Sequence, residues 1–146
     1  MPSSSPTSIA ANELQELLKR MGVEAEVSAN DETPPILEIK SPEAASLIGH
    51  RGDGLKSLQH ILRLIMVRKG GEGTVLIDIE GYRDRQHQQL QELAKRKADE
   101  VMESGRLAVL QPMSSYERRL VHTALAEREG VTTESIGDGG QRRVMI

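Results

Sequence analysis

The stretch Ile48-Gly49-His50-Arg51-Gly52 is a glycine-bounded turn with two basic residues in its middle. A short apolar run at 42–48 leads into it, and apolar residues at helical spacing follow it, so the turn falls at a predicted helix–helix junction. Glycine permits the positive φ that ends the first helix, and Gly52 would let a ligand backbone approach the N–H groups that open the second. Such a turn can hold a sugar-phosphate backbone facing His50 and Arg51, although a GxxG alone is weak evidence.

The patterns around this turn predict a first domain at residues 8–80. Its expected element order is helix, strand, strand, helix, GxxG turn, helix, strand. Residues 1–7 are rich in Pro and Ser and are expected to be disordered. The individual predictions are an amphipathic helix ending at Gly22, a hairpin of strands at 23–28 and 36–39, a helix opened by Ser41-Pro42 as its cap, a helix at 53–69 and a strand at 74–79.

The patterns from residue 81 to 146 predict a second domain that opens with a long helix at 82–104. Ser114 and Glu117 are spaced as a capping box for a further helix. Short strands are expected at 107–110, 132–136 and 142–146, the last two joined by a glycine-rich connection. The predicted fold class is therefore α+β, with two small α/β sandwich domains.

The composition excludes several classes of protein. The 146 residues suit two small domains, and the absence of cysteine rules out disulfides and thiolate metal sites and favours the cytoplasm. No apolar run approaches the roughly 20 residues that span a bilayer, and the N-terminus lacks the parts of a signal peptide, so direct membrane insertion is not expected. With no Phe or Trp and two Tyr, the chain lacks the aromatic platforms of an RRM.

The charge is unevenly distributed along the chain. The formal net charge of -3 would ordinarily oppose nucleic-acid binding, but acidic residues crowd the first third. The next stretch is dominated by basic residues, with only Asp53 against them. A locally basic face on an acidic protein is one interpretation, and a solvated helix face is the other. The basic residues are Arg51, Lys56, Arg63, Arg68 and Lys69.

Two parts of the chain resemble known domains. The element order of residues 8–80 resembles a type II KH domain, in which the GxxG loop clamps about four single-stranded nucleotides. Residues 112–122 resemble the heart of the R-three-H domain, with Arg118 and His122 at the defining spacing, and the glycine-rich turn followed by Arg142-Arg143-Val144 matches its end. A KH domain followed by an R-three-H domain is the arrangement of the Jag (SpoIIIJ-associated) family of bacterial RNA-binding proteins.

The resemblance implies a KH domain with helices on one face of a three-stranded sheet, then an R-three-H domain at 81–146 with helices packed on a small sheet. It also implies a non-enzymatic role in post-transcriptional regulation linked to cell elongation or division, with no cofactor, metal or catalytic residue. Single-stranded RNA is the expected partner, with single-stranded DNA as the alternative, and another small KH protein or a second copy as further partners. Many Jag proteins carry an additional N-terminal domain, for which these 146 residues have no room, so the chain is expected to be either a short family member or one that has lost this part.

The expected nucleic-acid contacts lie in both domains. Arg118 and His122, one helical turn apart, can approach the same phosphate or base edge. Arg119, Arg142 and Arg143 would support them. In the first domain the expected contacts are Ile48, Gly49, His50, Arg51, Gly52 and Lys56.

Two other functions fit parts of the sequence. One is a protein–protein adaptor with a structural KH-like fold and the acidic first third as its binding surface. The other is a nucleic-acid enzyme that uses Asp78, Glu80 and Asp84 to hold Mg²⁺, although alternation makes Asp78 and Glu80 the wet face of a strand. The four histidines have no spacing that suits a metal.

Overall fold

The computed structural model describes residues 5–30 and 32–146, and its fold is mixed α+β. The chain divides into two units, one ending at Arg83 and one beginning at Asp84. The first unit has the predicted order of elements. Its elements are α1 (Pro6–Arg20), β1 (Glu26–Ala29), β2 (Ile36–Lys40), α2 (Ala44–Ile48), a 3-10 turn (His50–Gly52), α3 (Asp53–Arg68) and β3 (Leu76–Ile79).

The sheet of the first unit has β2 at its centre. This strand pairs antiparallel with β1, opposing Val27 to Ile39, and parallel with β3, opposing Leu37 to Ile77. Alternation along the strands buries Leu37, Ile39, Ile77 and Ile79 completely, and the core that they form includes residues of α1 and α3. The helices therefore cover one face of this sheet.

Both outer edges of this sheet are capped by glutamine side chains. Gln15 on α1 donates from Nε2 to the Ala25 carbonyl (3.0 Å) and accepts from the Val27 N–H (3.2 Å). Gln59 on α3 does the same for the Val75 carbonyl (2.8 Å) and the Ile77 N–H (2.7 Å). Each amide replaces the hydrogen bonds of a missing neighbouring strand, which blocks pairing with another chain.

Two predictions about helix starts differ from the structure. Residues 1–4 of the segment predicted to be disordered lie outside the described residues, but Ser5 caps α1, with its Oγ accepting from the Ser8 N–H at 3.2 Å, and Pro6 begins the helix. Ser41 accepts from the Glu43 N–H through Oγ (3.1 Å), as a capping side chain would, but the helix starts later than predicted. This buried hydroxyl donates to the Glu24 carbonyl (2.6 Å), and α2 begins at Ala44 without a side-chain cap.

The second unit is built around a small sheet. Its β4 and β5 pair antiparallel, with Ser135 opposite Val144, and Val109 adds a single bridge to Met145 where a strand was predicted. Residues of both helices and of β5 form its aliphatic core. The elements are α4 (Tyr82–Ser104), which begins within the first unit, α5 (Ser115–Leu125), β4 (Glu134–Ile136), a 3-10 turn (Gly139–Gln141) and β5 (Arg143–Met145). No helix among the described residues combines the length and the apolar character that crossing a membrane requires.

Candidate nucleic-acid interface

Both glycines of the turn have the positive φ that the sequence predicts, but only Gly52 has the left-handed helical conformation. Gly49 has φ 70° and ψ -170°, and Gly52 is left-handed with φ 80° and ψ 13°. Arg51 between them is also left-handed, at φ 52° and ψ 29°, which is uncommon for a residue with a Cβ. His50 and Arg51 are both exposed, as is Lys56 one turn into α3. The turn therefore presents basic side chains to solvent from a constrained backbone.

Gly52 has a packing role that the sequence did not indicate. It is buried, and a Cβ at this position would lie 2.9 Å from Cε1 and 3.0 Å from the hydroxyl oxygen of Tyr82. The space beside Gly52 is thus filled by a side chain at the start of α4. The space on the Cβ side of Gly52 is therefore filled, while the approach of a ligand backbone to the N–H groups that open α3 stays a prediction.

Gly54 makes the tightest approach at this junction, and the sequence pattern did not single it out. A Cβ here would lie 2.1 Å from the Leu47 carbonyl oxygen and 2.9 Å from that of Ile48. Leu47 is buried and Ile48 is half-buried against the core. This close approach could have been predicted from the third glycine, two residues after the GxxG, because only glycine lets the start of α3 pack against the end of α2.

In the second unit, α5 begins with the predicted capping box. The Glu117 N–H donates to Ser114 Oγ (3.3 Å), and Glu117 Oε2 accepts from the Ser114 N–H (2.7 Å). Arg118 reinforces this start, because its guanidinium donates to the Met113 carbonyl (2.9 Å) and to Ser115 Oγ (3.1 Å). A guanidinium has five N–H donors, so the two internal bonds hold Arg118 in place and leave donors for an outside acceptor.

His122 is half-buried and faces two hydroxyls from the β4 region. Its Nδ1 lies 2.6 Å from Thr133 Oγ1, and its Nε2 lies 2.9 Å from Ser135 Oγ. Both ring nitrogens are therefore engaged inside the unit. Arg118 and His122 share a helix but bond to different segments, so the geometry favours a positioning role for the imidazole over direct donation to a phosphate.

The supporting arginines lie on different parts of the second unit. Arg119 is exposed on α5. Arg142 donates to the Gly137 carbonyl (2.9 Å), and its own carbonyl accepts from the Met113 N–H (3.1 Å), which places it beside the segment that holds Arg118. Side chains alternate along β5, so Arg143 and the buried Val144 lie on different faces of the strand. Ser135, the cross-strand partner of Val144, shares the face of Val144 and contacts His122, so Arg143 lies on the other side. The structure thus places Arg142 next to the Met113 segment that Arg118 contacts, whereas Arg143 lies on the other face of β5.

Two of the three acidic residues considered for an enzyme, Asp78 and Glu80, have structural partners. Asp78 Oδ1 accepts from the Ile79 N–H (2.9 Å) and the Arg83 N–H (3.2 Å), so it caps the start of α4. Glu80 Oε1 accepts from the Ser41 N–H (3.1 Å). In the part of the chain that the structure describes, no three His, Asp or Glu side chains are grouped to hold a metal ion. The geometry gives the nuclease alternative no support.

Comparison with known proteins identifies the second unit. The family model of the R-three-H domain matches residues 88–146. The chain is 36% identical over 128 residues to RNA-binding protein KhpB of Clostridium symbiosum, covering 86% of this chain and 58% of that protein. It is 30% identical over 137 residues to RNA-binding protein KhpB of Bacillus subtilis, covering 91% and 66%, and 32% identical over 132 residues to that of Lactiplantibacillus plantarum, covering 89% and 41%.

The chain spans less than two thirds of the length of each of these three relatives. The matched domain begins six residues into α4 and includes Arg118, His122 and the glycine-rich turn. The chain therefore contains an R-three-H domain and is a homologue of the bacterial proteins named RNA-binding protein KhpB.

Proposed function

We propose that this protein binds single-stranded RNA through both of its units and has no catalytic activity. The observation that carries the proposal is the exposed pair His50 and Arg51 between two positive-φ glycines. A left-handed arginine costs free energy, and strained residues of this kind concentrate at functional sites. The element order and the one-sided helical cover of the sheet support a type II KH domain at residues 8–80.

In the first unit, the RNA backbone follows the glycine turn and the start of α3. His50, Arg51 and Lys56 contact its phosphates, and the half-buried Ile48 lines the surface against which bases lie. Asp53, exposed in the first turn of α3, opposes phosphate. Binding through this unit alone is therefore modest.

In the second unit, Arg118, Arg119 and Arg142 contact phosphate, and Arg143 contacts a more distant part of the same strand. Internal hydrogen bonds hold Arg118 and Arg142 before RNA arrives, which lowers the entropic cost of binding. Two linked weak sites raise the overall affinity through effective concentration. The family resemblance and the names of the relatives support a cytoplasmic role in post-transcriptional regulation linked to cell elongation or division.

The proposal is tested by fluorescence anisotropy with a short single-stranded RNA over a salt series. The variants are His50→Gln/Arg51→Asn in the first unit and Arg118→Gln/Arg119→Gln in the second. The control is Lys19→Gln/Arg20→Gln on α1, which removes two exposed charges from a helix with no proposed contact. Both site variants should weaken binding and flatten the salt dependence, by about one unit of slope per lost phosphate contact, and the control should not. Equal losses of affinity in the two site variants and the control would show that binding depends on net charge and not on these sites. A single-stranded DNA of the same sequence distinguishes the two nucleic acids.

A second candidate function is protein binding, and one observation favours it. Ile61, Leu64 and Val67 are spaced along one side of α3, and they are 41%, 49% and 66% exposed. Such an apolar stripe suits another small KH protein or a second copy of this chain. Sedimentation of the wild type and of Leu64→Glu tests it, and a monomeric wild type that captures no KH protein would contradict it.

A further inference from the structure

Tyr116 stands out on the surface of the second unit. It lies in the first turn of α5, and 64% of it is exposed. Within residues 5–30 and 32–146 its hydroxyl makes no hydrogen bond. The sequence has two tyrosines and no Phe or Trp, so exposed aromatic surface of this size is scarce in the chain.

The other tyrosine does not offer the same surface. Tyr82 is half-buried, packs against the core of the first unit and covers Gly52. Its ring faces the protein, whereas most of the Tyr116 ring faces solvent. Of the two tyrosines, Tyr116 is the one whose ring is accessible to another molecule.

The neighbours of Tyr116 are those of a nucleic-acid site. Arg119 is three residues further along α5 and exposed, so the two residues are neighbours on the helix surface. Glu117, the nearest carboxylate in sequence, is held in the capping box and bonds to the Ser114 N–H. Arg118 is anchored over the preceding turn. One exposed cation, Arg119, therefore shares the side of α5 that carries the exposed ring.

We propose that Tyr116 is a stacking platform for one unpaired base of the bound RNA, with Arg119 contacting the same nucleotide. Every base has a π-face, so stacking adds affinity without a strict sequence preference. A guanidinium beside the ring can contact the phosphate or the second face of the base. The inference rests on the proposed function and deepens it by assigning a base contact to a surface that otherwise contacts phosphate.

The test compares the full chain with Tyr116→Ala and Tyr116→Phe, using a single-stranded RNA that carries 2-aminopurine and a matched oligonucleotide of abasic residues. Leu107→Ala is the control, because Leu107 is 72% exposed in the same unit but away from α5. Tyr116→Ala should bind the RNA about fivefold more weakly or worse, with an unchanged salt slope, and Tyr116→Phe should match the wild type. On the abasic oligonucleotide, Tyr116→Ala and the wild type should bind equally.

Each other outcome overturns the inference in a distinguishable way. If the wild type binds RNA and Tyr116→Ala binds equally well, the stacking platform fails while the proposed function stands. If Tyr116→Ala loses the same factor on the abasic oligonucleotide, the contact is not to a base. If the wild type binds no RNA, both the platform and the proposed function fail. Circular dichroism of each variant establishes that it is folded.

Discussion

Nδ1 of His122 lies 2.6 Å from Oγ1 of Thr133, and the second ring nitrogen meets Ser135. A hydroxyl can both donate and accept, so each ring nitrogen has a hydrogen-bond partner within the unit. The histidine of the R-three-H motif therefore joins α5 to the β4 region. We therefore expect His122 to act in nucleic-acid binding through the position of that helix.

Replacing His122 should consequently reduce stability. His122→Ala removes both contacts and leaves half-buried groups unpaired, so we expect the free energy of unfolding to fall by about 1–3 kcal/mol. Urea denaturation followed by circular dichroism measures this. Arg119→Ala, an exposed change on the same helix, should leave stability nearly unchanged. A His122→Ala protein as stable as the wild type but impaired in RNA binding would assign the ring a direct contact instead.

Arg51→Gly should separate stability from binding. Glycine adopts the left-handed conformation without the Cβ penalty, which offsets the lost side-chain interactions, so the free energy of unfolding should change by no more than about 1 kcal/mol. RNA affinity should fall, because a phosphate contact is lost. Urea denaturation and anisotropy on one preparation measure both. A variant that loses stability and keeps its RNA affinity would show that Arg51 serves the fold.

Gly54→Ala should severely damage the first unit. Alanine has the better helix propensity, but its Cβ would lie 2.1 Å from the Leu47 carbonyl oxygen, so the backbone of α2 or α3 must move. We expect a loss of at least about 2 kcal/mol in unfolding free energy. Gly140→Ala is the matched control, since nothing lies within 4 Å of the added carbon there. Equal thermal midpoints for the two variants would refute the close approach.

Gln59→Leu should expose the outer edge of β3. The Val75 carbonyl and the Ile77 N–H would lose their partner, at a cost of about 2 kcal/mol. An unpaired edge also invites association between chains. Thermal unfolding and sedimentation velocity measure the two effects. Gln89→Leu, at an exposed position on α4, provides the comparison, and indistinguishable behaviour of the two variants would rule out edge capping.

The local features of this fold were predictable from sequence. The limits of α4 at 82 and 104 follow from its apolar stripe and the glycine after it, and the capping box at Ser114 follows from a three-residue spacing. The two Ser-Pro dipeptides show that a local sequence pattern does not always predict a helix start. Ser5-Pro6 starts a helix in a segment predicted to be disordered, whereas Ser41-Pro42, predicted to start one, is drawn to the Glu24 carbonyl by burial.

The contacts that define the candidate site were not predictable in the same way. The positive φ of Gly49 and Gly52 has a sequence signal. The packing of Tyr82 on Gly52 and the bonds from His122 to Thr133 and Ser135 join residues far apart in the chain, and no local pattern encodes them. The sequence therefore predicted which residue types lie at the candidate site. It did not predict which of their side chains pack or hydrogen-bond inside the protein.

The most direct test of the account is a titration of the ¹⁵N-labelled full chain with a short single-stranded RNA, followed residue by residue by NMR. We expect the largest amide shifts in two stretches, 49–56 at the glycine turn and 114–119 at the start of α5, with smaller shifts at Arg142 and in β4. Shifts confined to the exposed stripe of Ile61, Leu64 and Val67, or no shifts at all, would contradict RNA binding at these sites.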